Sequence, residues 1–248
     1  MLSVQRARTH AHARPPSSRK LLQRSLCRAL GDVPLTLRQA ASSAELRAAA
    51  AVRAAAFGKY PAGRSAFAIA SHQRMRVDAE WKALEEKTSG REAAYAACVV
   101  ACFVLLAPCP DGWPLAAGLD PSCRLPAPAP GALPSVVLAS LDLNTGPVLP
   151  AEELHGAQGG PGERAYLSNV AVAPGARRCG LARRLICHTA ERAAGAGVRH
   201  LYVHAAADNA AALALYAALG FAQESAESAA TEHALGRARR VLLRLGLR

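Results

Sequence analysis

Two runs of this sequence hold residues whose types and spacing could do chemistry. The first, Val170-Ala-Val-Ala-Pro-Gly-Ala-Arg-Arg-Cys-Gly-Leu-Ala182, ends an apolar stretch at Pro174, turns through Arg177, Arg178, Cys179 and Gly180, and opens a helical pattern with Leu181, Ala182 and Arg183. A turn into a helix leaves backbone N–H groups without partners, and the first helical turn carries the positive end of the dipole. A phosphate-bearing group can therefore be held there by backbone donors, with little help from side chains. Taken alone, a basic turn opening an exposed helix is the commoner meaning of such a run. In the second run, Asn209, Ala212 and Tyr216 are spaced three and then four residues apart, so a small residue lies between two polar ones on one helix face. Tyr216 by itself reads equally well as an interfacial tyrosine on an Ala-rich core helix.

Alternating strands and helices must hold these runs in place. Ala165 to Val172 reads as a strand, Gly180 to Ala194 as a helix, His200 to Ala205 as a strand, Ala210 to Leu219 as a helix and Val241 to Leu245 as a last strand. On the first of these helices Leu181, Leu185, Ile186, Thr189 and Ala193 share the face turned to a sheet, and Arg183, Arg184, Glu191 and Arg192 the outer one. Earlier in the chain, Pro34 to Ala40 alternates as a strand, and Ser42 or Ser43 caps an Ala-rich helix ending near Phe57. A second helix is expected over about Arg74 to Lys87, stopped by Ser89-Gly90. The apolar run Ala93 to Ala107 is shorter than the ~18 residues of a membrane span and reads as a buried strand. Residues 108–134 hold eight prolines and read as a loop insertion outside the core. Ser135 to Asp142 resumes strand character, and Asn144 to Gly162 is polar and Gly/Pro-rich, as a mobile connection would be. The class that follows is α/β, with a partly parallel sheet.

The two runs together resemble the GNAT acetyltransferases. Arg177-Arg-Cys-Gly-Leu-Ala182 is similar to that family's (Gln/Arg)-x-x-Gly-x-(Gly/Ala) signature, preceded by Val172-Ala-Pro174. About 40 residues later, Asn209, Ala212, Leu215, Tyr216, Gly220 and Phe221 match its Asn-x-x-Ala-x-x-Leu-Tyr-x-x-x-Gly-Phe block. The resemblance covers about Pro34 to Leu245 and is strongest from Ala165 to Glu224. It implies a GNAT-like acyl-CoA acyltransferase fold, a mixed central sheet splayed between two strands and flanked by helices, with acetyl-CoA in the gap. By the same resemblance, backbone N–H groups around Val170, Ala171 and Val172 hold the acetyl carbonyl, Arg177 to Arg183 cradle the pyrophosphate, and the pantetheine arm passes over Ala212 beside Asn209. Tyr216 is then the acid for the departing thiolate.

An amine attacking directly still has to lose a proton, so a base is needed across the carbonyl from Tyr216. Where many relatives place a Glu, Leu201-Tyr-Val-His204 has a histidine. With an unperturbed pKa near ~6.5, His204 suits a base near neutral pH, and it suits a hydrogen-bonded sheet residue equally. Glu163 is a further candidate for substrate contact or water-mediated deprotonation, and Ser168 and Asn169 for the acceptor pocket. Cys179 and Cys187, on the cofactor helix, are read as incidental thiols and not nucleophiles.

The composition of the remaining chain limits where such an enzyme would work. The 248 residues, 51% hydrophobic but only 4% aromatic, suffice for one substantial core built from Leu, Val and Ala. Residues 1–31 contain no Asp or Glu and seven positive charges, Arg6, Arg8, Arg14, Arg19, Lys20, Arg24 and Arg28, interspersed with serines. That is transit-peptide composition, and a disordered basic tail is the alternative. Without this segment the formal charge falls from +12 to +5, so neither a nucleic-acid nor a membrane partner is expected. Seven cysteines without CxxC pairs read as reduced thiols, and no metal is expected. The division expected is a leader over 1–31 and an N-acetyltransferase domain over 32–248. The leader, Ala165-Tyr-Leu-Ser-Asn-Val170 and Leu201-Tyr-Val-His204 are similar to plastid GNAT enzymes of plants and algae, which implies protein N-terminal α-amines and lysine side chains as acceptors. A mitochondrial location is the second choice. Small-molecule amines, or a non-catalytic acyl-CoA- or RNA-binding module on the same fold, are the alternatives carried forward. The oligomeric state is left open.

Overall fold

The computed structural model describes Leu30 and residues 33–58, 60–90, 98–149, 159–160 and 162–247. Apart from Leu30 the expected leader lies outside these residues, as do the first residues of the apolar run and most of the connection after Gly146.

The elements follow in the order β1 (Thr36–Gln39), α1 (Ser43–Phe57), α2 (Ala66–Ser89), β2 (Val99–Pro108), α3 (Pro114–Ala117), β3 (Arg124–Leu125), β4 (Ser135–Thr145), β5 (Arg164–Val172), α4 (Leu181–Gly195), β6 (His200–Ala206), α5 (Ala210–Ala218), β7 (Ala222–Ala226), α6 (Ala229–Leu235) and β8 (Arg240–Gly246). Among the described residues the strands form one eight-stranded mixed sheet in the order β1-β2-β4-β5-β6-β8-β7, with β3 beside one end of β4. The central pair β5–β6 is parallel and its neighbours on both sides are antiparallel. Helices flank the sheet, as the fold class expected from the sequence requires.

Local chemistry explains the helices nearest the site. The Ser42 hydroxyl caps α1 by accepting the Glu45 N–H at 3.2 Å. Ala48, Ala49, Ala50 and Ala51 are fully buried, and their small side chains let the helix lie close to β4 and β5. Helix α4 buries Leu181, Leu185, Ile186, Thr189 and Ala193 and exposes Arg183, Arg184, Glu191 and Arg192, the faces expected from its spacing.

Four features differ from the sequence reading. Helix α2 starts at Ala66, not near Arg74, because the Ser65 hydroxyl accepts the Ala68 N–H at 3.2 Å and caps it there. The Pro-rich segment is not wholly outside the core: β3 pairs with β4, and Cys109, Trp113, Leu115, Cys123 and Leu125 are buried against the main cluster. Proline fixes φ without preventing the residues between prolines from packing inward. Strand β7 and helix α6 have no counterpart in the sequence reading. Finally, Cys98, Cys102, Cys109, Cys123 and Cys187 are free thiols, whereas Cys179 is disulfide-bonded.

Candidate active site

Strands β5 and β6 pair from Arg164–His200 to Leu167–Val203 and then part. Beyond that point β5 continues along β4 to Val172, and β6 continues along β8 to Ala206. The parting coincides with a β-bulge. Ser140 faces Ala171 and Asp142 faces Ser168, so Asn169 and Val170 together oppose Leu141, and Asn169 takes the left-handed φ of 53°. Past the bulge, Ala173 donates its N–H to the Leu138 carbonyl on the β4 side at 2.9 Å. Alternation along the strand turns the Val172 N–H, and with it the Val170 N–H, toward the side that β6 has vacated.

The strand then runs into the turn before α4. Arg178 and Gly180 both adopt left-handed backbone, with φ of 66° and 77°, and Gly180 occupies the N-cap position of α4 with no side-chain capping bond. The Arg184 N–H bonds back to the Gly180 carbonyl at 3.0 Å, so the N–H groups of Leu181, Ala182 and Arg183 precede the intrahelical ladder. The Arg177 guanidinium is used on the chain itself: its Nε reaches the Val172 carbonyl at 3.3 Å and its Nη2 the Ala56 carbonyl at 3.0 Å, bracing the turn against β5 and α1. Arg183 similarly donates to the Ala218 carbonyl at 3.4 Å. The turn therefore presents backbone donors flanked by the exposed Arg178 and Arg184, and a pyrophosphate fits donors of that kind. Beside the turn a cleft of about 830 Å³ opens between α1–α2 and the Pro-rich segment, with Ala55, Ile69, Gln73, Leu119, Cys123 and Pro174 on its walls.

Helix α5 follows β6 and ends at Ala218, whose carbonyl is the one Arg183 of α4 reaches. Asn209 is its N-cap, the Oδ1 accepting the Ala212 N–H at 3.1 Å; Ala212 is half-buried and Tyr216 buried at 5% exposure. The Tyr216 ring packs edge-on against Phe221, with centroids 5.3 Å apart. Burial, and secondarily the nearby phenol of Tyr166, pushes the Tyr216 hydroxyl well above the usual tyrosine range. It therefore stays protonated at neutral pH, the state a proton donor needs.

The sequence reading did not single out Tyr166. Its hydroxyl lies 3.1 Å from His204 Nδ1, and the two rings meet edge-on with centroids 5.7 Å apart. Register explains the meeting: Tyr166 pairs with Tyr202, and His204, two residues on, shares that face of β6. The same face of β4 carries Ser140, Asp142 and Asn144, all buried. Asn144 donates to the Ser168 hydroxyl at 3.1 Å and to the Tyr166 carbonyl at 2.9 Å, and Asn169 Nδ2 donates to Asp142 at 2.9 Å. A signal for this row existed in the sequence. Ser-Leu-Asp-Leu-Asn, residues 140–144, alternates polar and apolar inside a strand that the structure buries on both faces.

Glu163 is not part of this group. It precedes β5 at the end opposite the bulge, accepts the Arg199 and His200 N–H groups on its carbonyl, and has its carboxylate 3.4 Å from Arg199. Seven residues of extended chain, roughly 20 Å, separate it from Val170. Among the described residues no group of three or more His, Cys, Asp or Glu side chains is placed to hold a metal ion, and no helix is long and apolar enough to cross a membrane.

The profile of the acetyltransferase (GNAT) family matches residues 144–221, the stretch from the end of β4 to Phe221. Over 222 residues the chain is 35% identical to GCN5-related N-acetyltransferase 7, chloroplastic, of Arabidopsis thaliana, covering 88% of this chain and 78% of the relative. The chain belongs to the GNAT family. As a GNAT protein it is an acetyl-CoA-dependent N-acetyltransferase, and the parting of β5 from β6 is the splay expected of that fold. Solved structures agree at the level of fold. A GNAT-family acetyltransferase of Desulfovibrio desulfuricans superposes with a TM-score of 0.52 at 15% identity, covering 87% of this chain and all of that one. An acetyltransferase of Staphylococcus epidermidis gives a TM-score of 0.50 at 14% identity, with coverage of 87% and 100%.

Proposed function

We propose that this GNAT enzyme moves the acetyl group of acetyl-CoA directly to a primary amine of a protein, either an N-terminal α-amine or a lysine side chain, inside a plastid. The observation that carries the reading is the gap itself. Val170 and Val172 turn backbone N–H groups into it, the bare N-terminus of α4 lies at one end, and the protonated Tyr216 lines its far wall.

Bound acetyl-CoA supplies an activated thioester carbonyl. The N–H groups of Val170 and Val172 polarise that carbonyl and hold the oxyanion that forms when the amine adds. Ala171 spaces these donors, and the turn from Arg177 through Arg178, Cys179, Gly180, Leu181 and Ala182 to Arg183 presents its backbone to the pyrophosphate. The methyl of Ala212 leaves room for the pantetheine arm beside Asn209. The Tyr216 hydroxyl gives its proton to the departing sulfur.

The amine's proton goes to the Tyr166–His204 pair, and either tautomer provides a basic site. With His204 donating from Nδ1, Nε2 carries the basic lone pair; with Tyr166 donating to Nδ1, the phenol oxygen accepts while its own proton passes to the ring. Ser168, tied to Asn144, lines the acceptor side. No acyl-enzyme is needed, and the half-buried Cys187 faces none of these groups' chemistry.

The protein-amine acceptor rests on the resemblance to plastid enzymes of that class, and the plastid location also on the chloroplastic relative. Residues 1–31 then form the transit peptide and residues 32–248 the working domain. CoA release from acetyl-CoA is expected with digested plastid proteins as acceptors, and Tyr216→Phe should lower kcat about 10²-fold with little change in the KM for acetyl-CoA. Mass spectrometry of the products distinguishes α-amines from lysines. Turnover with small amines but with no peptide pool would move the acceptor to the small-molecule class. Absence of any turnover would leave a binding module.

A further inference from the structure

Helix α1 is a nearly unbroken alanine surface against the sheet, yet one of its fully buried positions is Arg53, at 1% exposure. Its guanidinium meets the equally buried Asp142 of β4 with Nη2 to Oδ1 at 2.5 Å and Nη1 to Oδ2 at 3.0 Å. The remaining donors reach the Ser140 hydroxyl from Nε at 3.2 Å, Glu80 of α2 from Nη1 at 3.2 Å, and the Cys102 sulfur from Nη2 at 3.5 Å. Burial disfavours the Arg53 charge, but Asp142 and the other groups around it together outweigh that and the net displacement is upward, so the guanidinium stays charged. A buried pair of this kind is a poor source of stability, since apolar side chains of the same volume do as well or better. What it does provide is a fixed direction. Asp142 Oδ2 accepts a third contact, the Nδ2–H of Asn169 at 2.9 Å, and Asn169 is the residue that takes left-handed backbone in the β5 bulge.

We propose that Arg53 and Asp142 are positioning residues that act through Asn169: the buried ion pair tethers its amide, fixes the bulge, and so aims the Val170 N–H at the acetyl carbonyl. The tether runs without a break from α2 through α1 and β4 to β5, by way of Glu80, Arg53, Asp142 and Asn169. Asn169 thereby serves the thioester from behind the strand, in place of the acceptor-pocket role expected from its position in the sequence. This inference rests on the reading of the gap as the acetyl-CoA site.

The test reads the carbonyl directly. In the wild-type enzyme the ¹³C-edited infrared band of bound [1-¹³C]acetyl-CoA is expected below its position in free acetyl-CoA. Asn169→Gly keeps a left-handed backbone accessible but removes the amide. It is expected to return the band toward the free position and to lower kcat about tenfold or more, while the KM for acetyl-CoA stays within about twofold. The paired variant Arg53→Met with Asp142→Leu, which leaves neither charge orphaned, is expected to do the same at a melting temperature close to wild type. A wild-type band and kcat in Asn169→Gly overturn the tether, whatever the paired variant does. Should the wild-type band not move on binding, the carbonyl is not held by Val170 and the underlying site reading fails instead.

Discussion

At Tyr216 and His204 a one-letter match and a working group differ by their surroundings. Tyr216 is held protonated chiefly by burial, and His204 is engaged by Tyr166, whose phenol also lies near Tyr216. If the Tyr166–His204 pair takes the amine proton, His204→Gln removes an ionisation from the acid limb of the kcat/KM profile. Tyr166→Phe is expected to displace that limb without abolishing it, because Nδ1 loses its partner while the imidazole remains. A pH profile of CoA release from pH 5 to 9 decides the matter, and an unchanged acid limb in His204→Gln would return that residue to a plain sheet histidine. Asp142 and Arg53 show the same lesson in reverse, being buried charges that no site motif contains.

At the scale of elements, the turn into α4 and the excursion between β7 and β8 each depend on a few backbone positions. A Cβ at Gly180 meets nothing within 4 Å, but φ is 77°, so the penalty of Gly180→Ala is conformational, on the order of 1–2 kcal/mol. In a chain of this size that lowers the melting temperature by about 2–4 °C per kcal/mol. If this backbone holds the pyrophosphate, a severalfold higher KM for acetyl-CoA with a near-normal kcat is expected in steady-state kinetics. Farther along, Glu227 joins both ends of the α6 excursion. Its carboxylate accepts from Arg237 at 2.7 and 2.8 Å, from the Arg240 N–H at 2.7 Å and from Arg240 Nε at 2.9 Å. The Arg237 contact first, then the Arg240 groups, hold this carboxyl far below the usual glutamate range. A depressed carboxylate stabilises the fold fully above its unfolded pKa of ~4.3, and that contribution is lost as the pH falls through the folded value. The melting temperature of Glu227→Gln should therefore lie below wild type at pH 7, with the gap narrowing as the pH drops below about 4.

For the molecule as a whole, the sheet joins residues from Thr36 to Gly246, and residues 1–31, without Asp or Glu, precede it in the sequence. If residues 1–31 are a transit peptide, protein purified from plastids begins near residue 32, and its formal charge is about +5 instead of +12. N-terminal sequencing of the isolated protein checks this, and an intact Met1 sinks the import reading. The Pro-rich segment matters at this scale too. By packing Trp113, Leu115 and Cys123 into the core it builds one wall of the cleft beside Pro174, next to the turn into α4.

The sequence by itself determined the alternation of elements from Ala165 to Leu219, the two faces of α4, the family, and the turn into α4. Each of these is written in local spacing: period two in strands, three and four in helices, glycine where φ must be positive. Tertiary structure alone decided the rest. Whether Tyr166 meets His204 depends on the parallel register of β5 with β6, and whether Asn169 faces substrate or Asp142 depends on a bulge set by pairing with β4. Glu163, near in sequence to the central strand, lies at the end of it opposite the bulge. Contacts between strands brought together by long crossovers carry no local pattern, so the row from Arg53 to His204 became legible when the sheet closed around it.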